Sequence, residues 1–428
     1  MKFNYSVNEV PTLNILILNG LQWFVLVMPV IIMVGKIIGV TFLLNSNEEV
    51  LYIQKLSFIV SLSLFLQILF GHSLPILSGP ATVLLVGLIA SKSYNPTSLY
   101  TALLIGGFFV CLLGLLNITK KIILYFTKNI ISVVLILIAF TMLPAISNMI
   151  VKPTGIPAGI NLIIALLIIL LLFIFEKILK GFWKTSLILW AMIFGTVIYI
   201  FVFGGSPYSY EVREVSLFSN YFKDFLPFFD FDAGLVLTFI ICYVALVIND
   251  VGSMQSVSSF VGTGNDWKPI KRGIFVTGIT NILASFICTT GVVNFSYSPG
   301  VLLITKCASK YVLLLTALLL FILSFSPYLL EFANMVPHLL IGSIFFYVMT
   351  SQISTGLSML YANGEFKYTD GIIVGCSVLL GTVITNLPID VTASLPGLLK
   401  PLLGNGFVMG ILFAFILEHM IYNQKNQP

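Results

Sequence analysis

The chain has 428 residues, of which 58% are hydrophobic and 9% charged. Soluble domains carry about 25% charged residues, so this set cannot build a surface that faces water on every side. The formal net charge is +5, but the bases are spread over short loops without interleaved aromatics, which excludes a nucleic-acid patch. The five cysteines (Cys111, Cys242, Cys288, Cys307 and Cys376) lie within or beside apolar runs and show no CxxC pairing. They read as small buried hydrophobes.

Apolar runs recur along the whole chain, most of them long enough to cross about 30 Å of hydrocarbon as a helix. In chain order they fall at 14–42, 51–70, 73–91, 97–116, 129–147, 157–176, 183–205, 232–256, 271–288, 290–306, 310–330, 334–354, 368–387 and 404–423. The first is much longer than a signal-peptide core and reads as a retained span. The third and tenth are short, and each opens on a polar, Pro/Gly-broken stretch: "SGPATVLLV" at 78–86 and "SYSPGVLLI" at 296–304. With the N-terminus inside, 14 of the 21 Lys and Arg fall on the inner side, so both termini are expected in the cytoplasm of a multi-pass plasma-membrane protein. The long acidic and aromatic loop 206–231 then faces out.

Fourteen spans make two sets of seven. Because seven is odd, the second set runs upside down relative to the first. This is an all-α polytopic membrane protein with a 7+7 inverted repeat, a plan common among secondary transporters. Pro and Gly free backbone groups that cannot face lipid, and they are tolerated where they line a cavity. Paired broken segments therefore mark a midplane binding site. Ser298 followed by Pro299 suits an N-cap and first helical position. The helix that follows, and the one beginning near Pro80, would aim their positive ends at that site.

Most of the 16 carboxylates sit at loop edges, whereas Asp250 lies deep in the eighth run. A carboxylate there is costly and marks function by default, as a proton carrier or a partner for a cation. The structural alternative is a Lys partner or a cap on a backbone break after Gly252. Asn249 is about 100° round the helix from it, and Ser253 lies one turn beyond Asn249 on the same face. Gln22 and Trp23 stand inside the first run. His72 opens the third as a ligand contact or an interfacial residue, and His338 and His419 lie near run ends. Metal-ligand spacing and catalytic motifs are absent, so no metal, cofactor or enzyme activity is expected.

These residues resemble the nucleobase–ascorbate transporter family, which includes the uracil and xanthine permeases. The family signature is matched at Gly300, Thr305 and Lys306 in "YSPGVLLITK", and departs from the pattern at Tyr297 and Ser298. Gln22 is kept from the family's Gln-His pair, with Trp23 in place of the His. Asn249-Asp250-Val251-Gly252 stands where the family has Glu-x-Ile/Val-Gly, and "LPGLLKPLLGNGFVMGILFAFIL" is similar to its last loop and span. The resemblance implies a core domain (14–116 and 232–330) and a gate domain (129–205 and 334–423), with the base held between two half-helices. It implies substrate contacts from Asn249, Ser253, Phe295, Ser296, Tyr297 and Trp23, and from the backbone around Gly79, Pro80 and Ala81. The family's titrating Glu is missing at Asn249 and Tyr297, which leaves Asp250 as the candidate for proton coupling.

The expected protein is a secondary active importer of a purine or pyrimidine base such as xanthine or uracil. It would run by proton symport with alternating access, as a possible homodimer in the bilayer. The alternatives are a small-anion carrier on the same fold, similar to sulfate permeases, or an uncoupled facilitator.

Overall fold

The computed structural model describes residues 3–116, 125–151, 157–203, 229–263, 267–296, 298–361, 366–388, 390–391, 394–396 and 399–422. Most of the 206–231 loop lies outside the described residues, as does Tyr297. Spans 1, 2 and 4 are the helices Leu13–Phe42, Ser46–Leu69 and Pro96–Leu115. Span 5 is two consecutive helices, Lys128–Thr141 and Leu143–Val151, and span 6 is Ala158–Ile178. Span 7 is a short turn, Gly181–Thr185, followed by Leu187–Phe203. Spans 8 and 9 are Ala233–Val261 and Trp267–Phe286. Spans 11 to 13 are Tyr311–Ser324, His338–Leu360 and Tyr368–Thr385. Span 14 is Gly406–Ile416, prolonged by a π-turn at Leu417–Ile421. Eight of these spans have the length and apolarity to cross a membrane unaided.

Local signals place the helix ends. Asn45 and Glu48 form a capping box at the start of span 2, and Asn95 caps span 4 with Pro96 behind it. Asp232 and Asn405 cap spans 8 and 14. These side chains satisfy first-turn N–H groups that have no partner within the helix. Span 11 stops at Ser324, short of the expected 330, because Pro327 starts a separate single turn, Pro327–Leu330.

Spans 3 and 10 depart from simple broken helices. Each enters as a three-residue strand, β1 (Ser78–Pro80) and β2 (Val292–Asn294), before its helix, Thr82–Ala90 or Ser298–Thr305. The strands pair antiparallel, with Ser78 opposite Asn294 and Pro80 opposite Val292. Both sets of freed backbone groups thus satisfy one another inside the bundle. Ser298 is already helical rather than the expected cap. Its hydroxyl donates to the Phe295 carbonyl at 2.8 Å and accepts from the Leu77 N–H at 3.1 Å.

Packing falls into two groups. Span 4 lies along spans 8 and 9, and span 11 lies on spans 1 and 2. Separately, span 12 lies on spans 5 and 6, and span 13 on spans 5 and 14. A buried ion pair joins spans 1 and 2, Lys36 Nζ to Glu49 Oε2 at 2.9 Å. From span 12, His338 Nε2 approaches Glu49 Oε1 at 3.7 Å, a tie between the groups.

Spans 4 and 9 approach through glycines. A Cβ at Gly278 would stand 2.5 Å from the Cys111 backbone nitrogen, and one at Gly114 would stand 2.6 Å from the Phe275 backbone. Without a water-driven hydrophobic force between helices, such close backbone approach supplies the dispersion contacts. Gly278→Val is expected to cost about 1–3 kcal/mol through overpacking. Gly159→Ala, where an added Cβ meets nothing within 4 Å, is expected to be neutral. Thermal melts of the detergent-purified variants check this, and equal losses at both positions would contradict it.

Candidate substrate site between the broken spans

The site rests on how β2 is held. Asn281 of span 9 is fully buried and brackets Val292 as a neighbouring strand would. Its Nδ2 donates to the Val292 carbonyl at 3.0 Å, and its Oδ1 accepts from the Val292 N–H at 3.2 Å. The fit leaves no room for a side chain at Gly291, where a Cβ would fall 1.6 Å from Asn281 Oδ1.

Asp250 of span 8 holds the other end of β2. Its Oδ1 accepts from the Asn294 backbone N–H at 3.1 Å and from Asn294 Nδ2 at 2.7 Å. Its Oδ2 accepts from the Thr277 hydroxyl at 2.7 Å. Behind Thr277 stands Gln67, whose Nε2 donates to Thr277 Oγ1 at 2.9 Å. Asn294 Oδ1 in turn accepts from Ser78 Oγ at 2.8 Å across the strand pair. His72 joins here. Its Nδ1 accepts from the Leu74 N–H at 2.9 Å, which leaves Nε2 as the ring donor toward Asn294 Oδ1 at 3.4 Å. A buried charge persists where hydrogen bonds satisfy it, and here three donors surround the carboxylate. Asp250 packs against spans 9 and 10, away from open space. Ser253 does the same, donating to the Asn294 carbonyl at 2.9 Å and to Asn249 in its own helix at 2.8 Å.

Beside this network lies a cavity of about 430 Å³ between the two packing groups, within the range of small-molecule sites. Span 1 supplies Val25, Leu26, Pro29, Val30 and Met33, and span 5 supplies Val134, Leu135 and Ile138. The first turns of the two half-helices contribute Thr82, Val83, Gly300 and Val301, where N–H groups lack partners within the helix. Asn249 lines it from span 8, and Val293, Phe295 and Ser296 from span 10. Span 12 adds Tyr347, Val348, Ser351 and Gln352. Among the described lining residues Lys184 is the one charged side chain. It stands at the open end, 50% exposed and 3.7 Å from Glu176.

The structure therefore sorts the residues singled out from sequence. Asn249, Phe295 and Ser296 line the cavity together. Gly79, Pro80 and Ala81 are buried outside the lining, and the Phe295 ring packs on Gly79, 2.2 Å from where a Cβ would stand. Trp23 is fully buried in span 1 outside the lining, and neither its indole N–H nor the Gln22 amide N–H has a hydrogen-bond partner among the described residues. Asp250 and Ser253 support β2 from the far side. His419 Nε2 lies 2.8 Å from the Tyr125 carbonyl and is structural. The sequence reading missed the span 5 stripe and the polar group on span 12. The run "FFYVMTSQIS" at 345–354 carried a signal, since Ser and Gln interrupt an apolar span there.

A cavity flanked by two half-helix N-termini, inside an inverted repeat of membrane spans, defines a membrane transporter. The family model described as "Permease family" matches residues 14–389, and the chain belongs to that family. The chain is 24% identical to the nucleobase transporter PlUacP of Paenibacillus larvae, over 91% of this chain and 90% of that one. It is also 24% identical to the xanthine permease of Bacillus subtilis, over 93% of this chain and 90% of that one. Among solved structures, the transmembrane domain of the cyanobacterial bicarbonate transporter BicA superposes with a TM-score of 0.65 at 15% identity. That match covers 88% of this chain and 98% of that domain, and it establishes the shared fold.

Removing the Asp250 carboxylate orphans three buried donors, each costing about 1–3 kcal/mol. Asp250→Ala is therefore expected to lower the melting temperature well beyond Ser253→Ala, which removes one hydroxyl. Comparable melting temperatures for Asp250→Ala and wild type would show that the network does not hold the site.

Proposed function

We propose that this permease imports a nucleobase by proton symport, with the base held between the half-helices and exposed to each side in turn. The observation that carries the reading is the cavity's polar wall. The Asn249 amide offers one donor and one acceptor, which suits the N–H and C=O of a lactam edge. Phe295 offers a ring face to an aromatic ligand, and Ser296 a further hydroxyl. The names of the relatives, which match over about nine-tenths of the chain, point to the same substrate class.

In this reading spans 1–4 and 8–11 move as a core against a gate of spans 5–7 and 12–14. The cavity between them is the inward-facing state, in a plasma membrane with both termini cytoplasmic, and the protein works as a homodimer. Asp250 couples the proton indirectly. A proton on either oxygen turns an acceptor into a donor facing Asn294 or Thr277, which weakens the hold on β2. Protonation and the geometry of the site are then linked without contact between the carboxylate and the base.

The test is competitive uptake in cells lacking their own base permeases, with labelled uracil, xanthine, guanine, adenine and sulfate. Wild type is expected to accumulate at least one base, and a proton ionophore to abolish the accumulation. Asp250→Asn, which keeps the shape but cannot cycle a proton, is expected to exchange base without accumulating it. Uptake of sulfate and of no base would overturn the reading and favour the small-anion alternative.

A further inference from the structure

Deepening the nucleobase reading, on which it rests, we propose that Gln352 of span 12 is a specificity-determining substrate contact on the gate side of the cavity. Elsewhere on the described gate wall no side chain offers both a donor and an acceptor as an amide does: Lys184 is a donor only and stands 3.7 Å from Glu176. Span 5 presents Val134, Leu135 and Ile138. The Ser351 hydroxyl is taken by the Val348 carbonyl at 2.6 Å. Tyr347 interacts electrostatically with Glu176 and offers a single hydroxyl. Thr185 donates to the Phe182 carbonyl at 3.0 Å. The Ser186 hydroxyl is without a partner but is a single group. Gln352 lines the cavity half-buried, and its amide bonds no described residue.

The core wall has the matching feature. Asn249 also lines the cavity half-buried, and its side-chain amide likewise bonds no described residue. Two free amides, one on each moving part, thus border one cavity. A planar base has polar groups on more than one edge, and a group left unpaired when the base is desolvated weakens binding. The Asn249 amide can satisfy one edge only. Gln352 is the gate-side residue with both the donor and the acceptor needed for a second edge. Because Gln352 sits on the gate, its contact exists only while the core is docked in this state. It therefore biases affinity toward one of the two conformations.

The test uses the full-length protein and measures uptake with competing bases, for wild type, Gln352→Leu, Gln352→Asn and Gln352→Glu at matched membrane levels. Gln352→Leu keeps bulk and removes the hydrogen bonds, so KM is expected to rise about 3- to 10-fold. Gln352→Asn is expected to recover part of the loss. Gln352→Glu replaces a donor–acceptor pair by two acceptors. It is expected to favour guanine, whose N1–H and N2–H₂ are adjacent donors, over xanthine, whose N1–H is flanked by carbonyls. A purely structural role would not produce that reversal. Unchanged KM and an unchanged competition order across all three variants would overturn the inference while leaving the nucleobase reading intact. Absence of any base uptake by wild type would remove that reading and this inference with it.

Discussion

Two spans of this protein are interrupted at mid-membrane, and their backbone groups must be satisfied where water and lipid offer nothing useful. Everything at the candidate site follows from the solution adopted. The interrupted stretches pair as β1 and β2, and side chains from spans 8 and 9 finish the job. Asn281 brackets Val292, and Asp250 takes both Asn294 donors. The resulting unit crosses between the two halves of the repeat and leaves the first turns of both half-helices facing one cavity.

This arrangement keeps the Asp250 carboxylate out of the cavity wall. The buried carboxylate lies behind the strand pair, while the described wall of the cavity carries amides, hydroxyls, apolar groups and, at its open end, Lys184. A site of this kind reads a ligand by the pattern of donors and acceptors rather than by opposite charge.

Much of this was legible in the sequence because hydrocarbon thickness is an unforgiving ruler. Fourteen apolar runs predicted fourteen spans, and Pro80, Pro299 and their glycines marked the two broken ones. The strands were not legible, because three residues are too few to show an alternating pattern. Asp250 was conspicuous as a carboxylate inside a span, yet its direction was not. Asn249 and Asp250 are neighbours about 100° apart on one helix, and only packing against Thr277 and Asn294 decides which of them faces the cavity. Ser298 looked like a cap because Ser-Pro commonly is one, but the strand pair claimed its hydroxyl for Leu77. The polar group around Gln352 was visible as an interruption of an apolar span, but the sequence does not say whether such a group meets a cavity or a neighbouring helix.

Span 8 turns Asn249 to the cavity and Ser253 to the strand pair. The most direct measurement is labelling by a membrane-impermeant thiol reagent, applied to inside-out vesicles, in a background whose five cysteines are replaced. Asn249→Cys is expected to react and to be protected by a transported base, while Ser253→Cys stays unreactive. Reaction and protection at Ser253→Cys with none at Asn249→Cys would mean that span 8 is turned about its axis, with Asn249 packed away from the cavity and Ser253 in its wall.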